Sequence, residues 1–397
     1  MFALVVRHPE IALAQRLGFG HRCRRRGLFL AHVHDGRTGF HQGDRGKTLN
    51  GPVIRAAAVV AAAVLLAGCT NAVEPPPPPP GPLTELSGIL ASGGIGVTAL
   101  LPTAGPTLFD ADHGPTATPP GYPGGDAQPA VVRVGKHIVL TVRPPNPQDT
   151  EPAEILEYTG PSSPPRSLGR AWSAGPDAGG EGVWLIRQDA PDDCRLQHVS
   201  FAEGELGRGQ SASCRTQVRT ETPHGLLISI NGGTAESTDT LIEPATGRTI
   251  RQAPRILGAA GDWMLLDGLT DLTLVDLRDN SSKKLSRPSI GGVPTVVPSR
   301  EGAVWAVDFA NPAYRSTSTQ TRDIWLLRPS GPTWDHAPGM PFVTEHLNRG
   351  GGLDWSDAGD LVLADRVLAA WHPGEPQWRL SRAALPGGTW SGFAVLP

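Results

Sequence analysis

One phrase recurs along most of this chain. A glycine in a polar turn is followed by a short run of apolar residues, and the instances begin at Gly135, Gly182, Gly225, Gly261, Gly302, Gly359 and Gly392. Runs such as Val183-Trp184-Leu185-Ile186 and Trp263-Met264-Leu265-Leu266 are apolar at every position. That pattern suits strands covered on both faces. A second strand signal follows most instances, as in Ile155–Tyr158, Leu196–Val199, Leu272–Asp276 and Ile324–Leu327, and turn residues come after it. The spacing between anchors is near 40–45 residues, close to four strands per unit. With 49 glycines and 40 prolines among 397 residues, little room is left for helices of ordinary length.

A unit of this kind cannot bury both faces of its own sheet. A radial array of small antiparallel sheets can, because each sheet packs against two neighbours. The expected fold is all-β, a propeller of about seven four-stranded blades. Six blades, or tandem β-sandwiches, are the alternatives. If seven, the last blade is incomplete at Pro397, and residues 84–110 supply its missing strands and lock the ring. Ser87–Leu90 and Gly96–Leu101 are strand-like pieces there.

Two segments resemble known families. Trp355-Ser356-Asp357-Ala358-Gly359-Asp360-Leu361-Val362-Leu363-Ala364 resembles the repeat phrase of WD40-like propellers, including periplasmic Tol-type proteins. Pro298–Val307 is a weaker copy. The first copy lacks the family's proline and the second its aspartate, so the resemblance implies a fold over residues 131–397 and no particular activity. The second segment is Leu66-Ala67-Gly68-Cys69, which ends an apolar run from Ala56 to Ala67 preceded by Arg55. It is similar to the lipobox of bacterial lipoproteins. The run has about a dozen apolar residues, short of the roughly 20 that a membrane span needs.

The resemblance implies an exported protein, anchored by a lipid on Cys69 at the outer face of the bacterial cytoplasmic membrane. The expected organisation follows. Residues 1–52 are an upstream extension, disordered or not translated, with the start of translation near Val53. Residues 53–68 are the signal peptide, 69–83 a Pro-rich tether containing Pro75–Pro80, and 84–397 the propeller. Six prolines in polyproline II make a stalk of roughly 20 Å.

Charge supports this division. Residues 1–68 carry ten Lys/Arg against three Asp/Glu, whereas 69–397 carry 25 against 35. An acidic mature protein does not attract polyanions, so nucleic acid is not an expected partner. Of four cysteines, Cys23 lies in the extension and Cys69 takes the lipid. Cys194 and Cys214 remain, and in an oxidising compartment an even remainder predicts a disulfide, the alternative being two free buried thiols.

No G-x-S-x-G, H-E-x-x-H or P-loop occurs in the chain. Asp354, Asp357, Asp360 and Asp365 cluster, but their spacing is not that of a calcium loop, and they read as a turn before a strand. Asp189, Asp192 and Asp193 read as a solvated turn. His224, His336 and His346 are isolated histidines in turns and loops. No catalytic residue, metal site or cofactor is expected. The function expected is a monomeric binding or scaffolding module, held to the membrane through Cys69, for an envelope protein or a glycan. The alternative is an extracytoplasmic hydrolase or lyase acting on glycans or peptides in the central funnel. The lining of that funnel discriminates the two: three or more convergent His, Asp, Glu or Arg favour an enzyme, and an apolar or scattered lining favours binding.

Overall fold

The strands expected from the repeated phrase form seven four-stranded antiparallel sheets. The computed structural model describes residues 83–397 except 84–85, 93–105, 120, 123–129, 143–150, 161–162, 231–236, 269, 290–293, 310–321, 340–351, 365–366 and 386–389. Blades 1 to 6 are each continuous in sequence and span residues 130–171, 173–212, 217–253, 256–286, 295–336 and 353–384. Each runs as a meander from an inner strand outward. Blade 7 is composite: its inner strand is Trp390–Val395, and its outer three are Ser87–Ser92, Thr107–Asp110 and Gly114–Ala117. Gly88 to Ala91 lie opposite Val395 to Gly392. The first three and the last of the described strands therefore share one sheet, as the seven-blade reading requires.

Six of the seven glycine anchors introduce or open the second strand of a blade. The seventh, Gly392, does not. It lies within the inner strand of blade 7, and the second strand there is Ser87–Ser92. Within residues 84–110, Ser87–Ser92 and Thr107–Asp110 do supply the missing strands and lock the ring, with Gly114–Ala117 added at the outer edge. Gly96–Leu101 lies outside the described residues.

The packing explains the unbroken apolar runs. Among the described residues, seven hydrophobic clusters occur, one at each junction between neighbouring blades. Side chains alternate across a strand, so one strand serves two junctions. In blade 3, Leu226 and Ile228 pack toward blade 2, and Leu227 toward blade 4. In blade 6, Leu361 and Leu363 face blade 5, and Val362 and Ala364 face blade 7. Trp305, Trp355 and Trp378 are fully buried at these junctions. A pair of sandwiches has no such cyclic set of interfaces.

The two WD40-like phrases fold alike. In each, the serine ends the inner strand region and closes the turn. Ser299 Oγ accepts from the Val304 N–H at 3.1 Å, and Ser356 Oγ accepts from the Asp360 N–H at 3.0 Å. The glycine three residues on takes positive φ, +70° at Gly302 and +82° at Gly359, a conformation that side chains resist.

Candidate functional site: the central channel

The inner strands of all seven blades surround one channel of about 740 Å³. Its wall is made mostly of Gly, Ala, Val and Pro, and geometry explains why. Seven strands converge on one axis, so a side chain on one must fit against the next. At three junctions a glycine faces a valine. A Cβ built on Gly175 would come within 2.6 Å of Val218 Cγ1, on Gly258 within 3.1 Å of Val296 Cγ1, and on Gly392 within 3.0 Å of Val131 Cγ1.

Charged residues are set into this apolar wall. Arg133 comes from the inner strand of blade 1, Arg219 and Glu221 from that of blade 3 and Asp354 from that of blade 6; Asp177, Arg300 and Glu301 lie at the turns beyond the inner strands of blades 2 and 5. Most of them bridge blades. Asp354 is buried: its Oδ2 accepts from Arg300 Nη2 at 3.0 Å and from the Val395 N–H at 2.8 Å, and its Oδ1 from the Trp355 N–H at 2.8 Å. One carboxylate thus joins blades 5, 6 and 7. Burial pushes its pKa upward, and the Arg300 charge and the two backbone donors pull the other way.

Arg133 joins blade 1 to the same closure. It donates to the carbonyls of Gly135 at 2.9 Å and Val395 at 3.3 Å, and to Asp357 of blade 6 at 2.5 Å. Arg219 of blade 3 donates to the Ile256 and Leu257 carbonyls of blade 4 and to Asp239 at 3.3 Å. Burial lowers its pKa, against the pull of Asp239. Glu221 accepts from the Ala178 N–H at 3.1 Å and from Trp184 Nε1 at 3.0 Å, which ties blade 3 to blade 2. Asp177 is paired with His198 at 3.2 Å. Burial would raise its pKa, but His198 and the Glu181 and Gly180 N–H groups outweigh that and lower it.

Among the described residues, no His, Cys or Lys lines the channel. Its hydroxyls are those of Thr220 and Ser299. Thr220 donates to the Glu221 carbonyl at 3.3 Å, and Ser299 serves its turn. Among the described residues, neither hydroxyl is seen bonded to a His, Asp or Glu side chain, the arrangement that activates a nucleophile.

The residues singled out from the sequence are dispersed. Cys194 and Cys214 form a disulfide, with the Cα atoms 5.1 Å apart. It joins the third strand of blade 2 to the connection leading into blade 3. Cys69, Asp365 and His346 lie outside the described residues. Asp357 is exposed beside Arg133, and Asp360 takes His372 and Arg379, both at 2.9 Å. These carboxylates face different partners, and no group of three or more His, Cys, Asp or Glu suited to a metal occurs among the described residues. Asp189, Asp192 and Asp193 form the hairpin between the second and third strands of blade 2, with Asp189 paired to Arg195 at 3.1 Å. His224 pairs with Asp262 of blade 4 at 2.7 Å, and His336 with Asp323 at 2.8 Å. Sequence reasoning missed Arg133, Arg219, Arg300 and Asp239. Only Arg133 carried a signal, a charge inside the apolar run Val131-Val132-Arg133-Val134; Arg219 and Asp239 lie in polar strands and Arg300 in a turn, where a charge is ordinary.

No protein-family model matches the chain, and no curated protein is similar to it in sequence. Solved structures are similar in form. A putative 6-phosphogluconolactonase from Bacteroides fragilis is 12% identical, with a TM-score of 0.49, over 81% of this chain and 100% of that one. A protein from Lactobacillus plantarum is 11% identical, with a TM-score of 0.47, over 79% of this chain and 99% of that one. TolB from Acinetobacter baumannii is 12% identical, with a TM-score of 0.39, over 87% of this chain and 73% of that one. At such identities none of them carries an activity across. The propeller stands on the strand pairing itself.

Proposed function

We propose that this protein is an exported lipoprotein, held at the outer face of the cytoplasmic membrane by an acylated Cys69, whose propeller is a binding module for an envelope partner. One observation carries the choice of binding over catalysis. Arg133, Arg219, Arg300, Asp354 and Glu221 are engaged with neighbouring blades and with backbone, and Asp177 with His198, so they brace the ring instead of converging on a reacting atom. The Cys194–Cys214 disulfide supports an oxidising compartment.

The test is palmitate labelling of the full chain in a bacterial host, followed by crosslinking in the intact envelope. The wild type should label, sediment with membranes and crosslink to a partner, and Cys69→Ser should lose label and leave the membrane fraction. Identical fractionation of the two forms rejects the anchor. A second reading, a hydrolase or lyase on glycans or peptides, draws on the number of charged groups at the channel: three arginines and four carboxylates line it. Turnover of an envelope glycan or peptide that disappears in Glu221→Gln, with the fold retained, would select that reading.

A further inference from the structure

The charges of the channel wall do not cancel. Each arginine has a carboxylate of its own: Arg133 pairs with Asp357, Arg219 with Asp239 and Arg300 with Asp354. Asp177 is met by His198. Glu221 and Glu301 are left over. Glu221 is held but not neutralised. Its Oε2 accepts from the Ala178 N–H at 3.1 Å and from Trp184 Nε1 at 3.0 Å, both uncharged donors. The carboxylate is fixed in orientation, and its second oxygen stays available to a ligand. Glu301 is exposed at the same cavity, and no cationic side chain pairs with it among the described residues.

The cavity opens at one end of the ring. Its lining includes the turns between the first and second strands of blades 1 to 5, at Gly135, Gly180, Pro223, Gly261 and Gly302. It includes none of the described residues of the connections that enter the inner strands at the other end. The two ends differ in charge. In blades 1 to 6 the turns between first and second strands hold six carboxylates (Asp177, Glu181, Asp262, Glu301, Asp357 and Asp360) against two bases, Lys136 and Arg300. The described residues of the connections at the opposite end hold Arg215, Arg255 and Arg287 and no carboxylate. The field along the axis therefore draws a cation to this mouth, and walls of Gly, Ala and Val focus it. An anion meets arginines whose charge is already taken. A cavity of about 740 Å³ between converging strands has room for a slender chain and not for a folded domain.

We propose that the channel takes a slender ligand bearing an ammonium group, with Glu221 and Glu301 as its charge partners. The inference rests on the reading of the propeller as a binding module, but not on the anchor at Cys69. Loss of the envelope crosslink with the cation site intact removes the envelope partner alone; a retained crosslink with no cation site removes this inference alone.

The test titrates cadaverine, a straight-chain diamine, into the full chain carrying Cys69→Ser, by calorimetry at low ionic strength. One site should saturate, and added salt should weaken it. Glu301→Gln and Glu221→Gln should each weaken binding about fivefold, and the double variant more than either. Glu203→Gln, at an exposed position on another turn of blade 2 outside the cavity, should leave it unchanged. Glutarate, a dianion of the same length, should not bind. Binding of glutarate, or no binding of cadaverine, overturns the proposal. A loss confined to Glu221→Gln, with Glu301→Gln silent, overturns it as well, because Glu221 also braces blade 3 against blade 2. Two sources present an ammonium group, a lysine of a partner segment and a free polyamine. Tighter binding of acetyl-Gly-Lys-Gly-amide than of cadaverine selects the first, and the reverse the second; both uphold the charge partners.

Discussion

Asp354 shows how much of this ring rests on single side chains. It is a buried carboxylate whose donors come from blades 5 and 7 as well as its own. Asp354→Ala leaves the Val395 N–H without its acceptor and Arg300 with the Trp355 carbonyl but no carboxylate, and should lower the unfolding free energy by about 3–5 kcal/mol. Its pKa is raised by burial, so the folded protein holds this proton more tightly than the unfolded chain does. The stability this group supplies is greatest at low pH, and falls as pH rises from the ordinary carboxylate value through the raised one. Asp354→Asn removes that titration. Denaturant unfolding of the two forms between pH 3 and 7 should show the stability of the wild type relative to the asparagine variant falling as pH rises; parallel profiles would refute the assignment. Gly175 makes a complementary prediction. A methyl there meets Val218 Cγ1 at 2.6 Å and the Arg219 carbonyl at 3.2 Å. Gly175→Ala should cost about 1–3 kcal/mol by overpacking, and pairing it with Val218→Ala should recover part of the loss.

Strands and blades were the most legible level. Gly225-Leu226-Leu227-Ile228 announces a strand buried on both faces because it is one, with Leu226 and Leu227 in different junction clusters. The same local pattern at Gly392 misleads. An inner strand and a second strand have the same composition here, and only ring closure, which pairs Gly392 with Ala91, tells them apart. The bracing charges were illegible for a related reason. Arg133 reaches Val395, 262 positions away in sequence, and nothing near Arg133 hints at that partner. Cys194 and Cys214 needed no distant partner, since their separation is 20 residues and parity alone suggested the bond. The disulfide ties the third strand of blade 2 to the entry of blade 3. Closing a loop of that length contributes about 3 kcal/mol by the chain-entropy estimate. Cys214→Ser should lower the unfolding free energy by that amount under oxidising conditions, and should match the wild type once a reductant is present; a difference that survives reduction would point to packing at Cys214 instead.

At the scale of the whole molecule, the ring differs from an open stack of sheets in having no terminal unit. In an open array, losing the last strand costs the interface it makes with one neighbour. Here Trp390–Val395 is the inner strand of the closing blade. Phe393 and Val395 pack toward blade 6, and Ala394 and Leu396 toward blade 1. The Val395 backbone also supplies the N–H taken by Asp354 and the carbonyl taken by Arg133. Deleting residues 390–397 therefore strips two junctions and leaves Ser87–Ser92 without its partner on that side. Hydrogen exchange should report this unevenly. Protection should collapse in Thr107–Asp110, some 280 positions from the deletion, and weaken in blades 1 and 6, while blades 3 and 4, which share a junction of their own, keep most of theirs. A synthetic peptide of the missing strand, added in trans, should restore protection at Thr107–Asp110 by rejoining the open sheet edge. Wild-type exchange at those residues in the truncated protein would mean that the outer three strands hold to their neighbours without the C-terminal strand, and that the ring is not closed by it.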